Sequence, residues 1–120
     1  MLEYAIKSIL DEVVKPLGIT SVQPIFTTAI PGVTYTDTPI SGGIVKQDQV
    51  EIKVIHQDID EALKIRKAIL EKFDIEQTKP SLVSSGIELR SQLSGGGSIY
   101  SDGPQAWELS LIFIINWRCL

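Results

Sequence analysis

The chain has very few of the residues that usually support disulfide, metal and nucleophile chemistry. Among its 120 residues there is one cysteine, Cys119, and one histidine, His56. A single cysteine excludes a disulfide framework within the chain, and it fits a reducing compartment. A single histidine excludes a multi-histidine metal site. Stability must then come from a hydrophobic core, and a chain of this length suits one such core in one domain.

The chain also lacks a basic cluster and a long apolar run. Its formal net charge is −4, and its Lys and Arg residues are dispersed, which argues against a general nucleic-acid binder. No apolar run reaches the about 18 residues that suggest a membrane span. The first residues lack the basic and apolar regions of a signal peptide. We therefore expect a soluble protein, intracellular when made, with no membrane partner and no direct nucleic-acid readout.

The strongest pattern that is present is a strand followed by a helix. Residues Gln49 to His56 alternate like a half-buried strand. Asp58 then opens an amphipathic helix that runs to Phe73, and Glu61 completes a capping-box pattern. A second strong strand is predicted from Ala106 to about Arg118. One face of that strand carries Trp107, Leu109, Leu111, Phe113, Ile115 and Trp117.

Weaker patterns lie before and between these elements. Helical spacing predicts a first helix from Leu2 to Val14 or Lys15. One strand is predicted within residues 20–29, interrupted at Pro24. Residues 30–48 are interpreted as a long loop or an extended hairpin.

The second half of the chain adds one more predicted strand. Residues 74–85 are interpreted as a polar connection, and residues 86–93 as a strand that the glycines 95–97 break. Residues 94–105 form a second predicted loop. No internal repeat and no second domain is indicated, so residues 1–120 are predicted to be a single domain.

No group of residues has the pattern of a catalytic, cofactor or metal site. His56 stands at a strand exit without a patterned nucleophile partner. The segment Gly95–Ser98 lacks the following helix of a nucleotide-binding loop. The carboxylates of Asp58, Asp60 and Glu61 are explained by capping and by the helix dipole. We therefore predict that the protein is not an enzyme and binds no cofactor and no metal.

The order of elements resembles that of the tail terminator or tail completion proteins of long-tailed bacteriophages. The neck and minor capsid proteins encoded beside them are similar. Four segments carry the resemblance: the helix Leu2–Lys15, the strand Val50–His56, the helix Asp58–Leu70 and the strand Trp107–Ile115. In that family the central strand is typically followed by a helix with a Glu-Ala-x-x-Ile/Leu pattern. The final strand is typically of the Ser/Phe-x-Leu-x-Phe kind.

The resemblance implies an α+β fold with a mixed or antiparallel sheet of about four to five strands and two helices packed on one face. It also implies a structural protein of the virion neck or tail, assembled in the cytoplasm of the bacterial host. Family members form rings, commonly hexameric, that cap the tail tube. The implied partners are further copies of the chain, the tail tube protein and the head connector proteins.

A ring requires head-to-tail contacts between subunits. The predicted contact surfaces are the outer face of the final strand and the two long loops. The candidate assembly residues are Tyr35 and Ile44 in the first loop, and Trp107 and Trp117 on the final strand. The first loop is nearly uncharged and rich in Thr and Gly, as a segment that orders on assembly would be.

Three other functions stay open. A minor capsid or head–tail joining protein would bind the connector or head instead of the tail tube. A small-ligand-binding or regulatory α+β domain would contain a closed apolar pocket with a few polar groups. An enzyme would place perturbed carboxylates or His56 in one cleft.

Overall fold

The computed structural model describes residues 2–25, 27, 29–75 and 79–120. Its helices are α1 (Leu2–Val14) and α2 (Ile59–Phe73), and a short 3-10 helix covers Lys15–Leu17. Its strands are β1 (Val22–Pro24), β2 (Gly32–Ser41), β3 (Lys46–His56), β4 (Leu82–Ser84), β5 (Ile87–Ser101) and β6 (Ala106–Cys119). The strands form one sheet in the order β1-β2-β3-β6-β5-β4. β1 pairs in parallel with β2 and the other neighbours are antiparallel, so the sheet is mixed.

The predicted α+β class with two helices is confirmed, but the described residues form six strands where about four to five were predicted. The additional strand β4 lies within the predicted polar connection 74–85. Three residues are too few to display an alternating pattern. Of the predicted strand 20–29, only Val22–Pro24 is paired. Phe26 and Thr28 lie outside the described residues.

Of the two interpretations of residues 30–48, the extended hairpin is confirmed, whereas the predicted loop 94–105 is largely strand, in contrast to the expectation. Residues 32–41 and 46–56 form the hairpin of β2 and β3, with a short turn between them. β5 continues through the glycine triplet to Ser101, and a bulge between Leu93 and Gly95 shifts its register. The apolar strand β6 gives these weak strand formers a continuous partner, and such tertiary context overrides strand propensity.

The helices cover one face of the sheet. The buried face of β6 contributes Leu109, Phe113 and Ile115, all without solvent exposure. The rings of Phe73 in α2 and Phe113 in β6 lie 5.5 Å apart between centroids. α1 contacts β1 and β2 at one edge and β4 at the other, so the sheet curls around the helices. In the described part of the chain, neither helix has the length and apolar character that a membrane crossing requires.

Local hydrogen bonds fix both ends of α2. The Asp58 side chain accepts the N–H of Asp60 at 2.9 Å, as predicted for the cap. The N–H of Asp58 donates to Nδ1 of His56 at 2.9 Å, where the capping-box pattern predicted Glu61. At the other end, the buried Ser91 hydroxyl donates to the Phe73 carbonyl oxygen. His56 and Ser91 therefore join the helix to the strands on either side of it.

Candidate functional site

The four candidate assembly residues occupy different environments. Ile44 lies in the turn between β2 and β3 with 89% of its surface exposed. Tyr35 and Trp117 are only 5% and 8% exposed and belong to the core of the single chain. Trp107 is half-buried and packs edge-on against Tyr100, with ring centroids 5.0 Å apart. The assembly role of all four stays a prediction.

The outer face of β6 is the side of the strand that the helices leave open. Register with β3 and β5 places on it the alternate residues Glu108, Ser110, Ile112, Ile114, Asn116 and Arg118. Ile112 and Ile114 are half-buried at its centre. This predicted contact surface is thus a mainly polar strip with a small apolar centre.

A cleft of about 460 Å³ lies between the first turn of α1 and the turn that joins β2 to β3. Apolar side chains and three carboxylates line it together. The lining residues are Leu2, Glu3, Asp37, Pro39, Ile40, Ser41, Gly42, Lys46, Asp48 and Trp117. Its volume falls within the range typical of small-molecule sites, although the cleft is open to solvent.

The carboxylates reach the cleft from three elements. Asp37 of β2 pairs with Val50, and Asp48 of β3 pairs with Pro39, so the two aspartates are diagonal neighbours on one face. Glu3 comes from the first turn of α1. Asp48 is 3% exposed and accepts the indole N–H of Trp117 at 3.0 Å. The Asp48–Trp117 bond therefore connects β3 with the last residues of β6.

Asp37 is the carboxyl group that this arrangement perturbs most. Burial, a hydrogen bond with Asp48 and repulsion from Asp48 and Glu3 raise the pKa of Asp37 to about 8. At neutral pH Asp37 is therefore mostly protonated and can donate to Asp48. Its Oδ1 atom is buried and has no hydrogen-bond partner among the described residues. The cleft thus contains two neighbouring carboxyl groups from adjacent strands, and the raised pKa of Asp37 favours its protonated form.

Sequence reasoning missed this pair because both aspartates fell within residues 30–48, which were interpreted as a long loop or an extended hairpin without an assigned register. One signal was available. Asp48 lies two residues before Val50 and in phase with the buried residues of β3. Extending the alternation by two residues would have placed it on the buried face. Nothing in the sequence pattern marks Asp37 as its neighbour.

The structure does not bring His56 to these carboxylates. Lys46 at one end of β3 lies by the cleft, and His56 lies at the opposite end of the strand. Its Nδ1 accepts a backbone hydrogen bond at the start of α2. Within residues 2–25, 27, 29–75 and 79–120, no three His, Cys, Asp or Glu side chains are placed to hold a metal ion.

The raised pKa of Asp37 predicts that stability falls as pH rises. In the unfolded chain this carboxyl has its ordinary pKa of 3.8, so between about pH 4 and pH 8 the folded state binds more protons than the unfolded state. The Asp37→Asn variant should lose this dependence and be about 1–2 kcal/mol more stable than the wild type at pH 8, a value reduced for the partial exposure of the side chain. Urea unfolding across this pH range measures both effects.

The matched control is Asp102→Asn, which changes an exposed carboxylate in the turn between β5 and β6. This variant should keep the pH dependence of the wild type. An equal pH slope for the wild type and Asp37→Asn would contradict the assignment.

Comparisons with known proteins find similarity among solved structures. No protein-family model matches the sequence, and no curated protein matches it. Among solved structures, a chain of the "Virion of native gene transfer agent (GTA) particle" is similar, with a TM-score of 0.59. The match covers 92% of this chain and 84% of that chain at 16% identity. At this identity the likeness shows a shared fold.

Proposed function

We propose that this protein is a structural component of a phage or phage-like particle, and specifically a tail terminator. The observation that carries the proposal is the fold shared with a chain of a gene transfer agent virion over most of both chains. The resemblance of the sequence to tail terminator and tail completion proteins points to the same class. In this role the protein caps the tail tube and joins it to the head connector as a ring.

The exposed apolar residues support a role in assembly. Ile40, Ile44 and Val45 are all exposed at the end of the β2–β3 hairpin. Ile99 and Tyr100 are exposed at the opposite end of the sheet, on β5. Apolar groups at opposite ends of one subunit suit a protein that joins two different structures.

We propose a non-catalytic role. The only histidine is engaged at the start of α2, away from the carboxyl pair. In that pair Asp48 of β3 accepts the indole N–H of Trp117 in β6, and Asp37 of β2 lies beside it on the same face. These contacts account for the perturbed carboxyl group structurally, without a reaction.

A second candidate in the same class is a minor capsid or head–tail joining protein. A candidate of another class is a small-ligand-binding domain, and the cleft of about 460 Å³ with apolar walls and buried carboxyl groups is the observation that favours it. Such a ligand would contact Asp37 or Asp48, so Asp37→Asn would change its affinity.

The test needs a tail tube protein from the same genome. Purified protein added to growing tubes should stop elongation and appear as a cap at tube ends by electron microscopy. Ile44→Asp should weaken capping by about tenfold or more, because it places a charge in the apolar hairpin turn. Ile99→Asp, at an isoleucine that is 61% exposed at the other end of the sheet, is the control.

Tubes of equal length with and without the protein would contradict the terminator role. Binding to the purified head connector alone would favour the head–tail joining alternative. A stronger effect of Ile99→Asp than of Ile44→Asp would assign the opposite end of the sheet to the tube.

A further inference from the structure

The outer edge of β5 is only partly covered. β4 pairs with Ile87–Leu89 alone. Next along the strand, the Ser91 carbonyl accepts the N–H of Ile75 at 3.0 Å, and the N–H of Leu93 donates to Asp74 Oδ1 at 3.3 Å. From Ser94 to Ser101 the described residues pair β5 with β6 on one side only. We call this segment the β5 arm.

The register of the β5 arm shows which backbone groups point outward. Leu93, whose N–H faces away from β6, pairs with Phe113, and Gly95 pairs with Ile112. Successive residues of β6 point their N–H and C=O groups alternately toward β3 and toward β5. Phe113 points away from β5, so Ile112 points toward it. Gly95, which pairs with Ile112 after the bulge, therefore points its backbone groups toward β6. Three residues of the β5 arm then turn their N–H and C=O groups outward: Gly96, Ser98 and Tyr100.

The β5 arm has no charged residue or proline of its own to protect its edge, and Arg66 of α2 contacts only a side chain there, with Nη1 donating to Ser98 Oγ at 3.3 Å. Residues 91–101 contain no charged residue and no proline, whereas natural edges are usually blunted by such residues. Residues 96–100 are all exposed. An unprotected edge of this length is a template for another strand.

The other open edge of the sheet is protected. The Tyr35 carbonyl accepts the N–H of Ile25 at 3.0 Å, so alternate residues of β2 beyond Tyr35 also face outward. One of these is Pro39, which has no N–H to donate. β2 therefore offers an incoming strand only an interrupted set of hydrogen bonds, which makes it a poor partner for the β5 arm.

We propose that the β5 arm pairs antiparallel with the β5 arm of a second copy of this chain, about a two-fold axis at Ser98. The outward residues match themselves in this register: Ser98 faces Ser98 of the second copy, and Gly96 faces Tyr100 of the second copy. Three pairs of outward residues then share about six backbone hydrogen bonds. Each tyrosine ring lies across a glycine, an arrangement that stabilises strand pairs.

The cross-strand pairing of Tyr100 with Gly96 on both sides of the axis favours a second copy over an unrelated strand. A two-fold contact is isologous and closes at two copies. It covers the exposed edge of both sheets without requiring any other protein. The inference depends only on the backbone and side chains of the β5 arm, so it stands or falls separately from the tail terminator role.

The central test replaces the outward N–H of Ser98. Ser98→Pro removes that donor but no hydrogen bond between β5 and β6, and an edge strand tolerates proline at such a position. The matched control, Ser98→Ala, keeps the N–H. Light scattering over a concentration series should show dimers for the wild type and Ser98→Ala. For Ser98→Pro, the dissociation constant of the dimer should be about tenfold or more higher than for the wild type. The thermal unfolding of the Ser98→Pro monomer should be unchanged.

A cross-linking experiment locates the axis. In a Cys119→Ser background, Ser98→Cys should form a covalent dimer on mild oxidation, because directly paired residues of this kind have Cα atoms about 5.5 Å apart. Ile99→Cys in the same background points to the other face and is out of register, so it should not cross-link.

Two results would overturn the proposal. One is a monomer at every concentration. The other is an oligomer that Ser98→Pro leaves intact and Ser98→Cys does not cross-link, which would show that copies associate through another surface. The tail-tube capping assay is a separate measurement. A protein that does not form this dimer could still stop tube growth, so failure of the dimer proposal does not contradict the tail terminator role.

Discussion

Gly96→Ala is expected to lower the free energy of unfolding by about 1–3 kcal/mol and to disrupt pairing in the β5 arm. A Cβ atom at this position would lie against the backbone carbonyl oxygen of Ser110 on β6, well inside contact distance. A backbone group held in the ladder between two strands cannot rotate away as a flexible side chain can. Urea unfolding measures the loss, and amide hydrogen exchange along β5 and β6 should locate it.

The adjacent residue provides the control. A Cβ atom at Gly95 would meet nothing within 4 Å. Gly95→Ala is therefore expected to leave stability unchanged or to raise it by up to about 1 kcal/mol, since alanine restricts the unfolded chain. Equal losses for the two variants would show that the close approach of β6 to Gly96 is not what requires glycine.

Phe113→Ala is expected to have the largest effect, a loss of about 3–5 kcal/mol. The Phe113 ring is fully buried and packs against the Phe73 ring of α2 at 5.5 Å between centroids. Its removal leaves a cavity where the helix layer meets the centre of the sheet. A domain of this size is stable by roughly 6–18 kcal/mol, so the loss is a large share of the total.

Chemical denaturation with a two-state fit measures this change in the free energy of unfolding. Two further variants serve as comparisons. Phe113→Leu keeps most of the buried volume and should cost distinctly less. Tyr4→Ala removes an aromatic ring that is largely exposed on α1, and it should change stability by no more than about 0.5 kcal/mol. A loss for Phe113→Ala as small as that for Tyr4→Ala would contradict the assigned core.

The elements that could be predicted are those with strong local periodicity. The first helix, the strand before Asp58, the helix to Phe73 and the final strand all appear near their predicted positions. Each of them buries one face against the same core, so its sequence repeats the period of its own geometry. The Asp58 cap was predictable for the same reason, because the capping contact joins residues two positions apart.

The elements that could not be predicted depend on a partner far away in the sequence. β4 has three residues, and the β5 arm contains three consecutive glycines, so neither has a strand signal of its own. Both are strands because a neighbouring strand supplies the hydrogen bonds. Propensity decides little where such a ladder is available.

The candidate site shows the same division. Asp48 was within reach of the alternation in β3, but its contact with Trp117 joins residues 69 positions apart. Tyr35 and Trp117 are predicted assembly residues that the curled sheet buries in the single chain, and their assembly role stays a prediction. Aromatic residues on a strand face look alike in sequence whether they meet a helix of the same chain or another subunit.

By itself, the sequence determined the class of the fold, its main helices and strands, and the lack of clustered cysteine and histidine chemistry, because composition and period are local properties. The tertiary structure decided which strands are neighbours, which edge is left open and which carboxyl groups lie side by side. Those features arise from register and from the curl of the sheet. They bring distant residues together through hydrogen bonds and burial that no short segment encodes.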